Sequence, residues 1–114
     1  MEDYTVFLTP QAERQLREII HHISHELLEP GTADALLTAL EAAFSSLRQL
    51  PQRVPLVAEQ PWHDQGVRKL LCRNFLIYFL PKPATRQVQI LAVIYGRRDQ
   101  LNQLRSWNSS DFSH

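Results

Sequence analysis

The sequence predicts a small α+β domain in which a helical hairpin packs on a mainly antiparallel sheet, in the order strand, helix, helix, three strands and a short helix. Two segments of the first half carry apolar residues at helical spacing, and three segments of the second half are strand-like and separated by short turns. A chain of 114 residues, 44% of them hydrophobic, is enough for one packed core. We therefore expect one domain over residues 1–107 and a flexible tail over residues 108–114.

The first strand and the first helix are predicted next to each other. Residues 4–8 are rich in β-branched and aromatic side chains, which is typical of a strand. Thr9 suits the position that caps a helix, and Pro10 suits its first turn. The helix that follows should bury one apolar stripe, formed by Leu16, Ile19, Ile20, Ile23 and Leu27.

A second helix is predicted after the break at residues 29–31 (EPG). Thr32 is its expected cap, and Pro51 should end it. Its buried face should consist of Leu36, Leu37, Leu40, Ala43, Phe44, Leu47 and Leu50. Because the break is short, the two helices should form an antiparallel hairpin.

The second half is predicted to be mostly sheet. Residues 51–66 contain three prolines and no clear period, so we expect a loop. Strands are expected over residues 67–72, 75–80 and 87–95, with turns at 73–74 and 81–85. The last strand is apolar at consecutive positions from Ile90 to Ile94, which predicts a central strand covered on both faces. Residues 99–105 should form the short final helix.

Charge is distributed unevenly although the formal net charge is zero. Residues 1–60 carry four basic and nine acidic groups, and residues 61–114 carry eight basic and three acidic ones. This asymmetry predicts that the second half meets an anionic partner, although acidic solvent-facing helices and basic strands would give the same count.

The sequence does not favour a disulfide, a secreted or membrane location, or a metal site. The single cysteine, Cys72, lies in an apolar run, so we expect a structural thiol, no internal disulfide and a reducing cytoplasm. We expect no signal peptide and no membrane span, because neither pattern occurs. His21 and His25 are one helical turn apart, but without an HExxH pattern we predict neither a metal site nor a cofactor.

Four stretches in this order resemble the RelE/ParE superfamily of bacterial toxins. The stretch VRKLL at residues 67–71 is similar to the basic strand of the family, and FLIYF at 75–79 to its NYxIxY strand. The stretch VQILAVIYGRRD at 88–99 is similar to the last strand with its HGRRD ending, and TPQA at 9–12 precedes a helix as in the family. The resemblance covers about residues 4–104 and implies the RelE/ParE-like fold.

The resemblance implies the toxin of a type II toxin–antitoxin module, which inhibits bacterial growth and is neutralised by a cognate antitoxin. The resemblance allows two targets. The toxin would either poison DNA gyrase without catalysing a reaction, or act as an endonuclease that cuts mRNA on the ribosome. Tyr95 stands where many relatives have histidine, and residues 100–105 contain neither tyrosine nor histidine. These departures favour the gyrase poison and predict that the protein does not cut free RNA. A non-toxic domain that binds a partner or nucleic acid is a third reading.

The candidate site residues lie on the basic strands and just after the last one. Arginine binds phosphate oxygens with a fixed pair of donors and always carries its charge. Tyr78 and Tyr95 are the nearby groups that could transfer a proton, if their pKa values were lowered. For Tyr78 we favour a packing role in the core. The catalytic candidates are Arg73, Tyr95, Arg97 and Arg98. The candidates for binding the target or a phosphate are Arg68, Lys69, Arg73, Arg97 and Arg98.

Overall fold

The structure is a computed structural model that describes residues 3–26 and 30–95, without the side chains of residues 23–26, 30, 32 and 33. The predicted helix at 99–105, the tail, Arg97 and Arg98 lie outside these residues. In chain order the elements are β1 (Thr5–Leu8), α1 (Pro10–Glu26), α2 (Pro30–Ser46), a 3-10 turn (Pro51–Arg53), α3 (Trp62–Gln65), β2 (Arg68–Cys72), β3 (Phe75–Lys82) and β4 (Gln87–Tyr95).

The sheet has four strands in the order β1-β4-β3-β2. Strand β1 pairs with β4 in parallel, whereas β2 with β3 and β3 with β4 pair antiparallel. The predicted central position of β4 is confirmed. A parallel pair needs a long crossover connection, and here α1, α2 and the antiparallel strands lie between β1 and β4 in the chain.

Helix α1 begins as the sequence predicts. The Thr9 hydroxyl accepts a hydrogen bond of 3.2 Å from the Ala12 N–H, and the Glu13 N–H donates to the Thr9 carbonyl oxygen at 2.9 Å. The hydroxyl therefore satisfies one of the N–H groups that a helix start leaves without a partner. Ala12 is fully buried, so this end of the helix is anchored against the core.

Helix α2 differs from its predicted bounds at both ends. It begins at Pro30 rather than after Thr32, since proline is tolerated in the first turn of a helix. It ends at Ser46, four residues before Leu50, the last residue that the prediction placed in the helix. Leu47 is nevertheless buried, in the turn that follows the helix. The predicted place of Leu50 on the buried face was wrong, because its side chain is 59% exposed and its backbone is left-handed, with φ 47°.

The two faces of the sheet bury separate clusters. On the face of α1 and α2 lie Tyr4, Ala12, Leu40, Leu47, Val54, Phe75, Ile77, Phe79, Val88, Ile90 and Val93. The opposite face buries Val57, Trp62, Val67, Tyr78, Leu91, Ala92 and Ile94. The segment at 51–66 is thus more ordered than the predicted loop. Its 3-10 turn is followed by Val54 of the helix-side cluster, whereas α3 and the buried Val57 and Trp62 cover the second face.

The turns that join the strands follow the prediction in one case and not in the other. Arg73 and Asn74 form the expected two-residue turn between β2 and β3, closed by the pair Cys72 and Phe75. The second turn was placed too early, since Pro81 and Lys82 still pair with β4. Within the described residues, no helix is long and apolar enough to cross a membrane.

Candidate functional site

The C-terminal part of β4 pairs with β3 on one side and, among the described residues, borders α1 rather than a strand on the other. Strand β1 pairs with β4 only from Gln87 to Ile90. The pairing register between β3 and β4 then shifts, because Tyr78 lies opposite Ala92 and Phe79 opposite Ile90, which leaves Leu91 as the extra residue of a β-bulge. The bulge explains why Leu91 and Ala92 can be buried on the same face.

Polar side chains from the start of α1 bind the backbone of β4 where β1 ends. The Thr9 hydroxyl donates to the carbonyl oxygens of Ile90 or Leu91, at 3.0 and 3.2 Å. The amide of Gln11 donates to the Leu91 carbonyl at 3.0 Å, and Gln15 Oε1 accepts from the Val93 N–H at 3.0 Å. These side chains replace a neighbouring strand along the edge of β4.

A cavity of about 260 Å³ lies between α1 and the end of β4. It is lined by Gln15, Glu18, Ile19, His22, Val93, Ile94 and Tyr95. Glu18 and His22 are exposed and one helical turn apart on α1. The structure therefore brings a carboxylate and an imidazole to the same cavity as Tyr95, which the sequence analysis missed. The only signal for it was the polar stripe at residues 15, 18 and 22, spaced by three and four residues.

Tyr95 is the catalytic candidate that the structure describes in most detail. Its ring lies 4.9 Å from that of Phe75, centroid to centroid, with the two planes inclined by 47°. The side chain is half-buried and packs against the helix-side cluster while it also lines the cavity. Tyr95 therefore contributes to packing and at the same time lines the cavity between α1 and β4.

The two basic residues at the start of β2 are directed to opposite faces of the sheet. Arg68 pairs with Phe79 of the helix-side cluster, and Lys69 pairs with Tyr78 of the opposite cluster. Paired residues of neighbouring strands share a face, and successive residues alternate. Arg68 and Lys69 therefore do not form a common phosphate-binding surface.

Both of these side chains also have partners within the chain. Arg68 Nη1 donates to the carbonyl oxygens of Val54 and Gln52, the latter at 3.0 Å, and so fastens the segment after the 3-10 turn to β2. Lys69 Nζ lies 3.9 Å from Glu59 Oε1. Arg68 is mainly a structural contact in this arrangement, whereas Lys69 is more than a third exposed and can exchange its partner.

Arg73 is exposed at the tip of the turn between β2 and β3. Its backbone is left-handed, with φ 56°, a conformation that most residues other than glycine avoid. The turn places this guanidinium at the same end of the sheet as Tyr95, since Tyr95 pairs with Phe75 directly after the turn. Arg73 and Tyr95 are thus the two described candidates that share one end of the sheet.

Tyr78 is not placed for proton transfer. Its side chain is 1% exposed beneath the segment that contains Trp62. Burial, and secondly the nearby Glu59 carboxylate, raise the pKa of Tyr78 to about 12. The expectation that Tyr78 is a core aromatic agrees with this position, and its pKa moves away from the range that a general base needs.

The remaining chemical candidates do not form a metal or thiol site in the described part of the chain. Cys72 is half-buried, and its Sγ lies 3.6 Å from the carbonyl oxygen of Ala39. Among the residues that the structure describes, no three His, Cys, Asp or Glu side chains are grouped as metal ligands would be. The side chain of His25, which the metal reading needed, lies outside the described residues.

Chains of two solved toxin–antitoxin structures have a similar fold. The chain superposes on a chain of the chromosomal ParDE system from P. aeruginosa with a TM-score of 0.67, at 23% identity, covering 82% of this chain and 97% of that one. It superposes on a chain of the RelBE2 toxin–antitoxin complex from Mycobacterium tuberculosis with a TM-score of 0.59, at 24% identity, covering 83% and 93%. These superpositions show that the class is a small α+β fold.

The family follows from the sequence. Residues 6–100 match the model of the family described as the ParE toxin of the type II toxin–antitoxin system parDE. The chain therefore belongs to the ParE toxin family, and the resemblance to the RelE/ParE superfamily is confirmed. No curated protein matches the chain significantly.

Proposed function

We propose that the protein inhibits bacterial growth by binding DNA gyrase without catalysing a reaction, and that a cognate antitoxin neutralises it in the cytoplasm. The observation that carries the proposal is the match of residues 6–100 to the ParE family. The gyrase target rests on the resemblance of the GRRD ending at residues 96–99 to ParE-type members.

The positions of the basic residues support a binding role over catalysis. Phosphate cleavage needs cations gathered around one phosphate together with a base and an acid. Among the described residues, Arg68 and Lys69 lie on opposite faces, and the buried Tyr78 has a pKa of about 12. Arg73 and Tyr95 share one end of the sheet, and Arg97 and Arg98 follow Tyr95 in the sequence, so we propose this end as the surface that meets the target.

The likeness to chains of solved toxin–antitoxin structures also supports an antitoxin partner. The chains that share the fold come from a ParDE toxin–antitoxin system and a RelBE2 toxin–antitoxin complex. The excess of basic groups in residues 61–114 suits a partner with an acidic segment, and opposite charge speeds encounter more than it adds affinity.

A ribosome-dependent mRNA endonuclease is the second candidate. The observation that favours it is the cavity at the end of β4, where Glu18 and His22 lie beside Tyr95. A carboxylate and an imidazole are the groups that general acid–base catalysis uses most. Positioning of the message by the ribosome would also be needed, so free RNA should stay intact in either case.

Induction of the protein in cells separates these candidates. The gyrase poison predicts loss of growth with gyrase-dependent DNA breaks and intact mRNA, and co-expression of the neighbouring reading frame should restore growth. The endonuclease predicts mRNA cut at ribosomal A-site codons without DNA breaks. Normal growth with folded protein present would support the third candidate, a non-toxic domain that binds a partner or nucleic acid.

A further inference from the structure

The second half of strand β2 forms an open edge of the sheet in the part of the chain that the structure describes. Strand β3 lies on one side of β2, and on the other side the segment at 51–66 reaches only the start of β2. There the Val67 carbonyl accepts a hydrogen bond of 3.0 Å from the Val57 N–H. Alternate residues of a strand repeat this direction, so the backbone groups of Leu71 are directed outward as well.

Apolar surface begins at this edge, on the face of the sheet away from α1 and α2. The side chain of Leu71 is 67% exposed, and Leu50 is the other large apolar side chain that is exposed among the described residues. Leu71 pairs with Leu76 on β3, which is half-buried against the second cluster, and Leu76 pairs with the buried Ile94 on β4. Leu71 is therefore not an isolated surface leucine, because its apolar surface continues into the core.

Two basic side chains border these leucines. Lys69 lies on the same face as Leu71, two residues earlier on β2 and thus about 7 Å away along the strand. Arg73 is exposed two residues after Leu71, at the tip of the turn. The pair of Lys69 with Glu59 is more than a third exposed, so Lys69 can exchange this partner for another carboxylate. Leu71, Leu76, Lys69 and Arg73 together form what we call the Leu71 patch.

We propose that the Leu71 patch is the contact through which the toxin binds its target protein, at a surface where an apolar side chain is bordered by carboxylates. An apolar centre with a polar border is common in protein interfaces, and a few large side chains at the centre contribute most of the binding free energy. This role rests on the proposed function, because the partner is the target that the toxin binds.

The chemistry of the patch selects this partner. Leucine side chains are aliphatic and do not stack on bases as aromatic side chains do, so the patch favours a protein over a nucleic acid. The two cations at its border favour an acidic surface on that protein. Arg73 also belongs to the end of the sheet that we propose as the target surface, so the patch continues this surface onto the face away from the helices.

The test measures the binding of the purified full chain and its variants to purified DNA gyrase. Leu71→Thr removes the exposed apolar side chain, keeps a residue that suits a strand, and should weaken binding at least about tenfold. Leu71→Met keeps an apolar side chain and should restore most of the binding. Lys69→Gln should weaken binding about two- to five-fold, the range of an exposed ion pair.

The matched control is Leu50→Asn, which removes the other exposed leucine. Asparagine tolerates the left-handed backbone of this position, and Leu50 lies outside the patch, so gyrase binding should not change. Circular dichroism should be the same for all variants, because the side chain of Leu71 is mostly exposed. Lys69→Gln and Leu71→Thr change different side chains, so unfolding of one variant leaves the other as the test.

The outcomes separate the patch from the proposed function. Unchanged gyrase binding by folded Leu71→Thr, or an equal loss in Leu50→Asn, would overturn the patch and leave the gyrase target standing. Loss of antitoxin binding instead of gyrase binding in Leu71→Thr would also overturn it and assign the patch to the antitoxin. A parent chain that does not bind gyrase would overturn both the patch and the proposed target.

Discussion

The side-chain oxygen of Gln15 on α1 accepts a hydrogen bond of 3.0 Å from the backbone N–H of Val93 on β4, 78 residues later in the chain. The bond holds the helix against the part of β4 that β1 does not reach. Without it, the Val93 N–H would face the cavity between α1 and the end of β4 and would lack the Gln15 acceptor. One glutamine therefore fixes the distance between α1 and the end of the sheet where Tyr95 lies.

Replacement of Gln15 by leucine should lower the free energy of unfolding by about 1 kcal/mol, because the partly buried Val93 N–H loses its acceptor. Urea denaturation of both proteins measures this difference. Gln65→Leu is the control, since Gln65 is exposed in α3 and should change stability by less than about 0.5 kcal/mol. Equal stability of Gln15→Leu and the parent chain would mean that water replaces the glutamine without cost.

Tyr78 should titrate with a pKa of about 12. A folded pKa above the usual value of 10 stabilises the fold fully below pH 10, and this contribution is lost as the pH rises through 12. Absorbance at 295 nm should show a tyrosine that ionises near pH 12 and is missing in Tyr78→Phe. Growth inhibition by Tyr78→Phe should equal that of the parent chain. Loss of growth inhibition in a folded Tyr78→Phe protein would instead mean that the Tyr78 hydroxyl takes part in the functional site.

Arg68 and Lys69 should respond differently to alanine substitution. Arg68→Ala removes the donor to two backbone carbonyl oxygens and should cost about 2 kcal/mol, as hydrogen bonds from charged groups do. Lys69→Ala should cost less than about 0.5 kcal/mol, because its pair with Glu59 is exposed. Thermal unfolding compares the two variants. A stable Arg68→Ala protein without toxicity would instead assign Arg68 to the target surface.

Arg73→Gly separates stability from target binding at one position. Glycine adopts the left-handed backbone at φ 56° without steric cost, so stability should rise by about 1 kcal/mol. Toxicity should fall if this guanidinium meets the target. Arg73→Asn also removes the charge and tolerates the same backbone, so its toxicity should fall equally. Undiminished growth inhibition by both stabilised variants would exclude Arg73 from the target surface.

Most of the fold could be predicted because its signals are local. The cap at Thr9, the strand periods and the short turn at residues 73–74 depend on neighbouring residues alone. The early end of α2 could not be predicted, because Leu47 and Leu50 continue the helical spacing and only tertiary packing decides that one is buried and the other exposed. Pro81 in β3 was missed because proline usually ends a strand.

The candidate site was less predictable, since it depends on which elements meet. The strand period alone assigns the neighbouring Arg68 and Lys69 of the motif VRKLL to opposite faces of the sheet, and their pairing with β3 agrees with this. The proximity of Glu18 and His22 to Tyr95 depends on the parallel crossover that brings α1 beside β4. The polar stripe at residues 15, 18 and 22 marks a face of α1, but the sequence does not indicate which strand that face meets.

The most direct test of the proposed function is a supercoiling assay with purified protein and purified DNA gyrase, in the absence of ribosomes and mRNA. We predict inhibition of supercoiling and accumulation of cleaved DNA, and we predict that Arg97→Ala combined with Arg98→Ala reduces both while circular dichroism stays unchanged. Two results together would contradict the proposal: gyrase keeps its normal activity in the presence of excess protein that is toxic in cells, and mRNA is cut once ribosomes are added. They would assign the protein to the endonucleases.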